Sequence, residues 1–598
     1  MPPQLRRLPS ALAHLLIATV VTFPMLGTVG SRLVGSGDVD VWNHAWGPWW
    51  WWDSLSRGTL PWETRLLAYP RGGVLWFIDP VLAAGGAPLV PLLGPTAAYN
   101  LAVFGFVAFA SWAGARLARA LGVDGPARFV ASTALAGSAW MVCEIHNGIT
   151  EAFDIGFVAL AIAWTEEAAR ASRPKAWARA GLGIGLAAVA SPYLGLGAGL
   201  YALVRGLPAL RHAWLGALVA VLVAAPPALG LRAQLHSDSA IIKHPESMND
   251  QLAMHNAVDP RTFVAPLGFR SVDLSAEGFE HSMYLGLLAL VLAGLGTWKL
   301  RRGAGDGFRG TLSAPGPWVL AAASVSLVFA LGPYLYLDGA WATAGGGRLR
   351  LPWWAIQRLA PGLAVTHPLR LAVPALAAVS GLAAVGAAHL VPGRRALVLA
   401  GLVLIDGLVL SGAPWPLATA DAALPAAMST LAREPGADPG EAAILDLPTD
   451  AGATMATSRY LWWQAFHGRP IVYGPDARAS TSPLIHDSAF RTLAAASTRR
   501  DDEAHRLQLG GAADRAATRS LRDIGLRWVV VHHDLDPEAG ARLHAVLESE
   551  LGPGSRTGDT EIWDLGPPPP VGQRRGLAEP RHATPGAGPA PDRPTGAR

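Results

Sequence analysis

The chain has 598 residues, and only 15% of them are Asp, Glu, Lys or Arg, with a mean hydropathy of +0.29. Soluble domains run nearer a quarter charged, so lipid is the expected solvent for much of this chain. A net charge of +4 over this length is too small a surplus to point to nucleic acid, and the single cysteine, Cys143, excludes an intramolecular disulfide or a cysteine-based metal site.

Crossing a bilayer takes about 20 apolar residues. Eleven stretches qualify or come close: 11–31, 96–116, 129–147, 150–168, 177–190, 193–206, 212–231, 283–299, 316–337, 370–391 and 395–413. The first is read as an uncleaved transmembrane helix, because further apolar spans follow and no small-residue cleavage motif stands out. Ser191-Pro192-Tyr193 separates the two short stretches before and after it, and proline there ends one helix and opens the next. The alternative is a single kinked helix, which leaves ten spans and inverts everything that follows.

Positive charge favours eleven. Cytoplasmic loops are enriched in Lys and Arg. With Arg6 and Arg7 inside, the basic groups Arg116–Arg128, Arg170–Arg179, Arg205–Arg211, Lys299–Arg309 and Arg394–Arg395 all fall inside as well. The long loops 32–95, 232–282 and 338–369 then face outward, as does everything after 414. The expected fold is a mainly α-helical polytopic membrane protein (residues 1–413) in a bacterial cytoplasmic membrane, with a C-terminal extracytoplasmic α/β domain (414–566). Strands are predicted at 442–448, 469–474, 526–534 and 560–565, with helices at 484–497, 513–524 and 537–550. The Pro/Gly-rich stretch 567–598 reads as a disordered tail.

The first outer loop carries GDVDVWNHAWGPWWWW, residues 37–52. At helical spacing, Trp42, Trp46 and Trp49 share one face, while Asp40, His44 and Trp51 fall near the other, and Pro48 interrupts the helix. That pattern predicts a broken amphipathic helix held at the lipid surface by indole. Asp38 and Asp40 are harder to assign to anchoring, because a carboxylate at a lipid boundary is costly unless solvated or paired. Further polar residues gather at the outer ends of spans. Glu144 and His146 close the third span, and Glu151 and Asp154 open the fourth. Asp79 reads as a helix cap. In the second outer loop, His244, His255, Glu280 and His281 are too scattered for metal-ligand spacing.

With LAYPRGGVLWFIDP (67–80), LLGPTAAYNLAVF (92–104), VTHPLRLAVPAL (365–376), RPIVYG and LRDIGLRWVVVHHD, the first outer loop resembles the GT-C glycosyltransferases, in particular a bacterial group that uses polyprenyl-phosphate sugars. The likeness spans most of residues 11–565, through loose motifs. It implies transfer of a sugar from a polyprenyl-phosphate donor to an extracytoplasmic acceptor, whether envelope glycan, lipid or protein. It also implies that Asp40 or Asp38 is the general base that deprotonates the acceptor hydroxyl. His44 would tune that base or, protonated, bind phosphate. Arg370, beside His367, would grip the donor phosphate through a bidentate fork, with Arg71 and Arg261 as alternatives. Mg²⁺ or Mn²⁺ on Asp38 and Asp40 is a further option, since paired carboxylates suit hard cations.

Two other readings compete. A transporter or lipid flippase fits the span number, with Asp406 in the eleventh span as its main support. A non-catalytic glycan-binding scaffold could use Tyr460, Trp462 and Trp463 as a stacking platform, although these three equally suit a core.

Overall fold

The computed structural model describes residues 8–76, 79–171, 173–242, 252–254, 256–266, 279–302, 315–359, 366–432, 442–449, 458–475, 482–497 and 520–574. His244 and His255, residues 513–519 and residues 575–598 lie outside them.

Each of the eleven apolar stretches contains helix, but the third, 129–147, is broken at its centre by Gly137 and Ser138. In chain order the main helices are α1 (Leu8–Val21), α2 (Val41–Ser56), α3 (Pro80–Gly86), α4 (Val90–Ala120), α5 (Arg128–Ala136), α6 (Ala139–Asn147), α7 (Thr150–Phe153), α8 (Ile155–Ala171), α9 (Pro174–Ala190), α10 (Pro192–Gly206), α11 (Leu210–His236), α12 (Leu287–Arg302), α13 (Pro315–Ala330), α14 (Pro352–Leu359), α15 (Val373–Leu390) and α16 (Ala396–Val409). Among the described residues, three stretches are long and apolar enough to cross a membrane: Pro80–Ala120, Arg211–Gln234 and Pro368–Leu390. They do different jobs. The third is 94% buried and forms the centre of the bundle, while the second is only 6% buried. An apolar face left so exposed requires apolar surroundings, and the fold is that of a membrane protein.

At Ser191 the backbone is extended (φ −154°, ψ 133°) between α9 and α10. A Cβ placed on Gly195 would lie 2.3 Å from the Cβ of Ala188, so α10 folds back along α9. The Ser-Pro-Tyr segment is therefore a hairpin turn and not a kink.

Beyond residue 414 the chain builds a mixed sheet. Strand β1 (Arg32–Val34), after α1, pairs antiparallel with β2 (Thr419–Asp421). Four further strands, β3 (Ala443–Leu447), β4 (Leu526–His532), β5 (Ser555–Thr557) and β6 (Thr560–Asp564), stand in the order β5-β6-β4-β3. β3 is parallel to β4 and β6 antiparallel to it, with Val529 opposite Leu445 and Trp563. Helices Ser488–Ser497, Ser520–Ile524 and Pro537–Leu551 accompany the sheet. β5 had no sequence signal, because all three of its residues are exposed and polar.

The predicted strand 469–474 is not a regular strand. It makes one parallel bridge, Ile471 to Ile444, and three further backbone hydrogen bonds join it to residues 66–69. Ile471 N–H donates to the Leu66 carbonyl (2.9 Å), Tyr69 N–H to the Ile471 carbonyl (3.1 Å) and Ala68 N–H to the Tyr473 carbonyl (2.9 Å). Residues 66–69 thus complete the edge of the sheet, and one apolar core runs without interruption from the helices into the α/β layer. The start of the predicted tail also differs from expectation. Residues 567–574 are ordered against the sheet side, where Arg574 Nη1 donates to Tyr69 Oη (2.8 Å) and Arg522 Nε to the Pro567 carbonyl (2.9 Å).

Candidate active site

The tryptophan-rich stretch folds as the single helix α2, unbroken by Pro48, whose ring packs against Gly86 of α3. The proline forfeits one helical hydrogen bond, and packing on both sides offsets the loss. The two-faced surface helix expected from the pattern is not what forms. Trp42, Trp46 and Trp50 are at most 1% exposed, and Trp46 stacks on Trp50 with ring centroids 4.9 Å apart. The reason is tertiary: α2 lies between α3 and α4 on one side and helix α17 (Arg459–His467) on the other. Trp46 Nε1 donates to Gln464 Oε1 (3.0 Å), and Gln464 Nε2 donates to the Leu66 and Arg469 carbonyls. Trp42, Trp46 and Trp50 are core, and the indole N–H groups of Trp42 and Trp46 donate to the Gly37 carbonyl and to Gln464.

Asp40 stands at the amino end of α2. Its carboxylate does not cap the helix, and its Oδ1 instead accepts from Asn43 Nδ2 (3.1 Å). Asp40 is half-buried and Asp38 is exposed. Asp38 acts electrostatically on the buried His146, whose carbonyl accepts from Ser36 N–H (2.7 Å). The loop can approach so closely because of Gly148. It sits at φ +72°, and a Cβ there would lie 2.4 Å from the Cα of Val41. Only glycine permits both the left-handed turn and the contact.

Behind this loop lies a buried ionic cluster. His44 Nδ1 bonds Thr150 Oγ1 (2.9 Å) and stands 3.6 Å from Glu151 Oε2. Arg370 Nη1 donates to Glu151 Oε1 (3.0 Å), and its guanidinium lies 5.2 Å over the ring of Tyr193. The Tyr193 hydroxyl meets Thr366 (2.8 Å) and His367 Nδ1 (3.4 Å). Asp79 caps α3 as expected, its Oδ1 accepting from Val81 and Leu82 N–H, but it is also fully buried. Burial, assisted by the nearby charge of Glu151 and opposed by the cap bonds, pushes its carboxyl up to about 7. Asp154 is fully buried too, with neither carboxyl oxygen hydrogen-bonded among the described residues, and the charges acting on it are Asp79 and Glu151.

Several expectations change here. Burial holds His44 below its ordinary range, with Arg370 working in the same direction and Glu151 against it, so a protonated, phosphate-gripping His44 does not suit this environment. Arg370 already shares a buried ion pair with a carboxylate 219 residues away, and the pairing bond uses Nη1 alone. Arg261 is taken by Asp259 and Asp338. Arg71 is exposed on a turn, and no described side-chain bond joins it to the cluster. His281, set aside as scattered, belongs to the site's periphery, since its Nδ1 bonds Glu144 Oε1 (3.1 Å) while Asn147 holds the backbone of Glu280. Thr150, Tyr193 and Asn43 were missed. Neutral residues give no composition signal, and the only cue was their position at helix starts. Trp140, Met283, Tyr284, Leu285, Ala372, Val373 and Leu376 line a small apolar crevice.

Among the described residues no group of three or more His, Cys, Asp or Glu side chains is placed to hold a metal ion. Asp38 and Asp40 supply two carboxylates of unequal burial.

No protein-family model matches the chain, and no curated protein matches it. Solved structures do. The arabinofuranosyltransferase AftD from Mycobacteria superposes with a TM-score of 0.51 and 16% identity, over 94% of this chain and 41% of its own. The oligosaccharyltransferase AglB from Archaeoglobus fulgidus, solved with an inhibitory peptide and a dolichol-phosphate, gives 0.45 and 10%, over 93% and 74%. ArnT from Cupriavidus metallidurans, bound to undecaprenyl phosphate, gives 0.44 and 15%, over 93% and 98%. The chain has the GT-C fold of membrane glycosyltransferases. At these identities the likeness is one of architecture, and it does not extend to sugar or acceptor.

Proposed function

We propose that this protein is an integral-membrane glycosyltransferase that moves a sugar from a polyprenyl-phosphate donor to an acceptor on the non-cytoplasmic face. The observation that carries the reading is the close approach of Val41, the residue that follows Asp40, to Gly148. It sets a half-buried carboxylate, oriented by Asn43, at the edge of a buried His–Glu–Arg cluster. Asp40 then acts as general base: its carboxylate takes the acceptor's proton as the hydroxyl oxygen attacks the anomeric carbon, and the bond to the lipid phosphate breaks. Asp38 is the alternative base. Glu151, Arg370 and His44 position the site, and Arg370 has further N–H donors for the departing phosphate. Eleven spans, an inside amino terminus and an extracytoplasmic α/β layer complete the proposal, and the hairpin at Ser191 supports the odd number.

The rival features fit less well. Asp406 accepts from Tyr284 Oη (2.9 Å) and from Leu288 N–H (3.3 Å), so it ties α16 to the start of α12. Tyr460 and Trp462 are fully buried, and Trp463 packs on His532 at 4.4 Å, as a core requires.

The test is turnover. Purified protein supplied with polyprenyl-phosphate sugars should release polyprenyl phosphate, and Asp40→Asn should lower kcat by about 10²–10⁴-fold with the fold intact. Full activity in both Asp40→Asn and Asp38→Asn would remove the base assignment.

A further inference from the structure

The third outer loop carries a feature that glycosyl transfer does not use. Residues 334–351 form two small hairpins, pairing Tyr336–Leu337 with Ala340–Trp341 and Thr343–Ala344 with Gly347–Arg348. The amphipathic helix α14 follows at once. Trp353 of α14 is buried edge-on against Phe329, at the end of the apolar helix α13, with ring centroids 6.0 Å apart. That contact fixes α14 beside a membrane-length apolar surface.

What α14 and the hairpins display is basic and aromatic. The Arg350 guanidinium lies 4.2 Å from the Trp354 ring centroid, with Arg358 at 5.6 Å from the same ring. Arg348 lies 5.1 Å from Trp341 and 5.7 Å from Tyr334. All three arginines are exposed, and among the described residues none has a carboxylate partner. From Gly339 to Arg370 the sequence contains no Asp or Glu, and Asp338 just before it is bound by Arg261. Exposed leucines share the region: Leu337, Leu349 and Leu359, the last 85% exposed. Stacking arginine on indole fixes the cation without neutralising it. Arginine and tryptophan on the polar side, with leucine and a buried anchor on the other, is the pattern of a helix that lies in a lipid interface.

We propose that α14 and the preceding hairpins form a docking platform for anionic phospholipid headgroups of the membrane that holds the helices. Arg350 and Arg358 bind the headgroup phosphates, and Leu359 enters the acyl boundary. Charge complementarity selects this occupant, since the patch offers cations in excess and its one acid, Asp338, is already paired with Arg261. The inference needs only the membrane fold and stands apart from the reaction.

Because the one native cysteine is buried, a single reporter thiol is available. Leu359→Cys, carrying an environment-sensitive fluorophore, is placed in nanodiscs of phosphatidylcholine with a rising fraction of phosphatidylglycerol. The emission should shift to the blue as phosphatidylglycerol rises, and salt should weaken the shift. Arg350→Gln with Arg358→Gln should raise the phosphatidylglycerol fraction needed for half-response by about fivefold per arginine. Arg394→Gln with Arg395→Gln, which removes the same charge elsewhere, should leave the response unchanged. Equal emission in both lipids would overturn the proposal, as would equal loss in the two double variants. So would a response to added polyprenyl phosphate in phosphatidylcholine discs with none to phosphatidylglycerol.

Discussion

Asp38 and Asp40 are two residues apart, yet one faces solvent and the other is half-buried beneath Asn43. Alternation of the chain at the mouth of α2 is enough to separate them, and it makes Asp40 the better-held carboxylate. Behind them, Glu151 and Arg370 illustrate a buried pair whose value lies in completeness. Removing one partner strands the other charge, so Glu151→Gln or Arg370→Met alone should cost about 3 kcal/mol or more of stability. A double Glu151→Leu, Arg370→Met variant should recover part of that loss in thermal unfolding while remaining inactive. Asp79 makes a pH prediction. Its folded carboxyl titrates near 7 against an ordinary value of 3.8. A raised carboxyl favours the folded state fully below the unfolded value, and that contribution is lost as pH rises towards 7. The window is therefore pH 4 to 7, and the effect is on the order of 4 kcal/mol. Asp79→Asn keeps the cap acceptor, so its unfolding temperature should fall less than that of the wild type across this window.

At the scale of elements, α2 is the piece that joins everything else. It reaches α3 and α4 through Pro48 and the indoles, and α17 through the Trp46–Gln464 bond. Trp46→Ala should cost about 3–5 kcal/mol, the usual range for emptying a buried aromatic site. The hinge of the site is Gly148, whose left-handed backbone and contact with Val41 admit no side chain. Gly148→Ala should cost about 1–3 kcal/mol in backbone strain alone. It should also lower kcat more than an equal destabilisation placed elsewhere, because it moves the Asp40 loop. Comparing unfolding temperature with turnover across the two variants separates these effects.

At the scale of the molecule, the helical part and the α/β layer share one core and one extended set of hydrogen bonds. β1 pairs with β2, and Leu66–Tyr69 closes the edge beside Ile471. A separately expressed segment 414–574 should therefore aggregate or unfold without cooperativity, as read by thermal denaturation, even though its length would suffice for a core of its own. The proposed orientation has its own test: in intact cells an impermeant maleimide should label Ser429→Cys and leave Arg394→Cys unmodified.

The amino-acid sequence by itself determined the membrane environment, the approximate positions of most helices, most strands of the sheet and the acidic loop after the first helix. These depend on local hydropathy, charge and spacing, which neighbouring residues carry between them. Asp79 as a cap was legible for the same reason. Tertiary structure alone decided that Trp42, Trp46 and Trp50 of α2 are core, that RPIVYG bonds to the distant segment 66–69 (Ile471 on Leu66, for example), and that His281 joins Glu144. It alone gave Arg370 to Glu151 and Arg261 to aspartates. The physical reason is common to all of these: a polar group buried by distant segments must find its partner among whatever those segments bring, and no local pattern records which segments will meet.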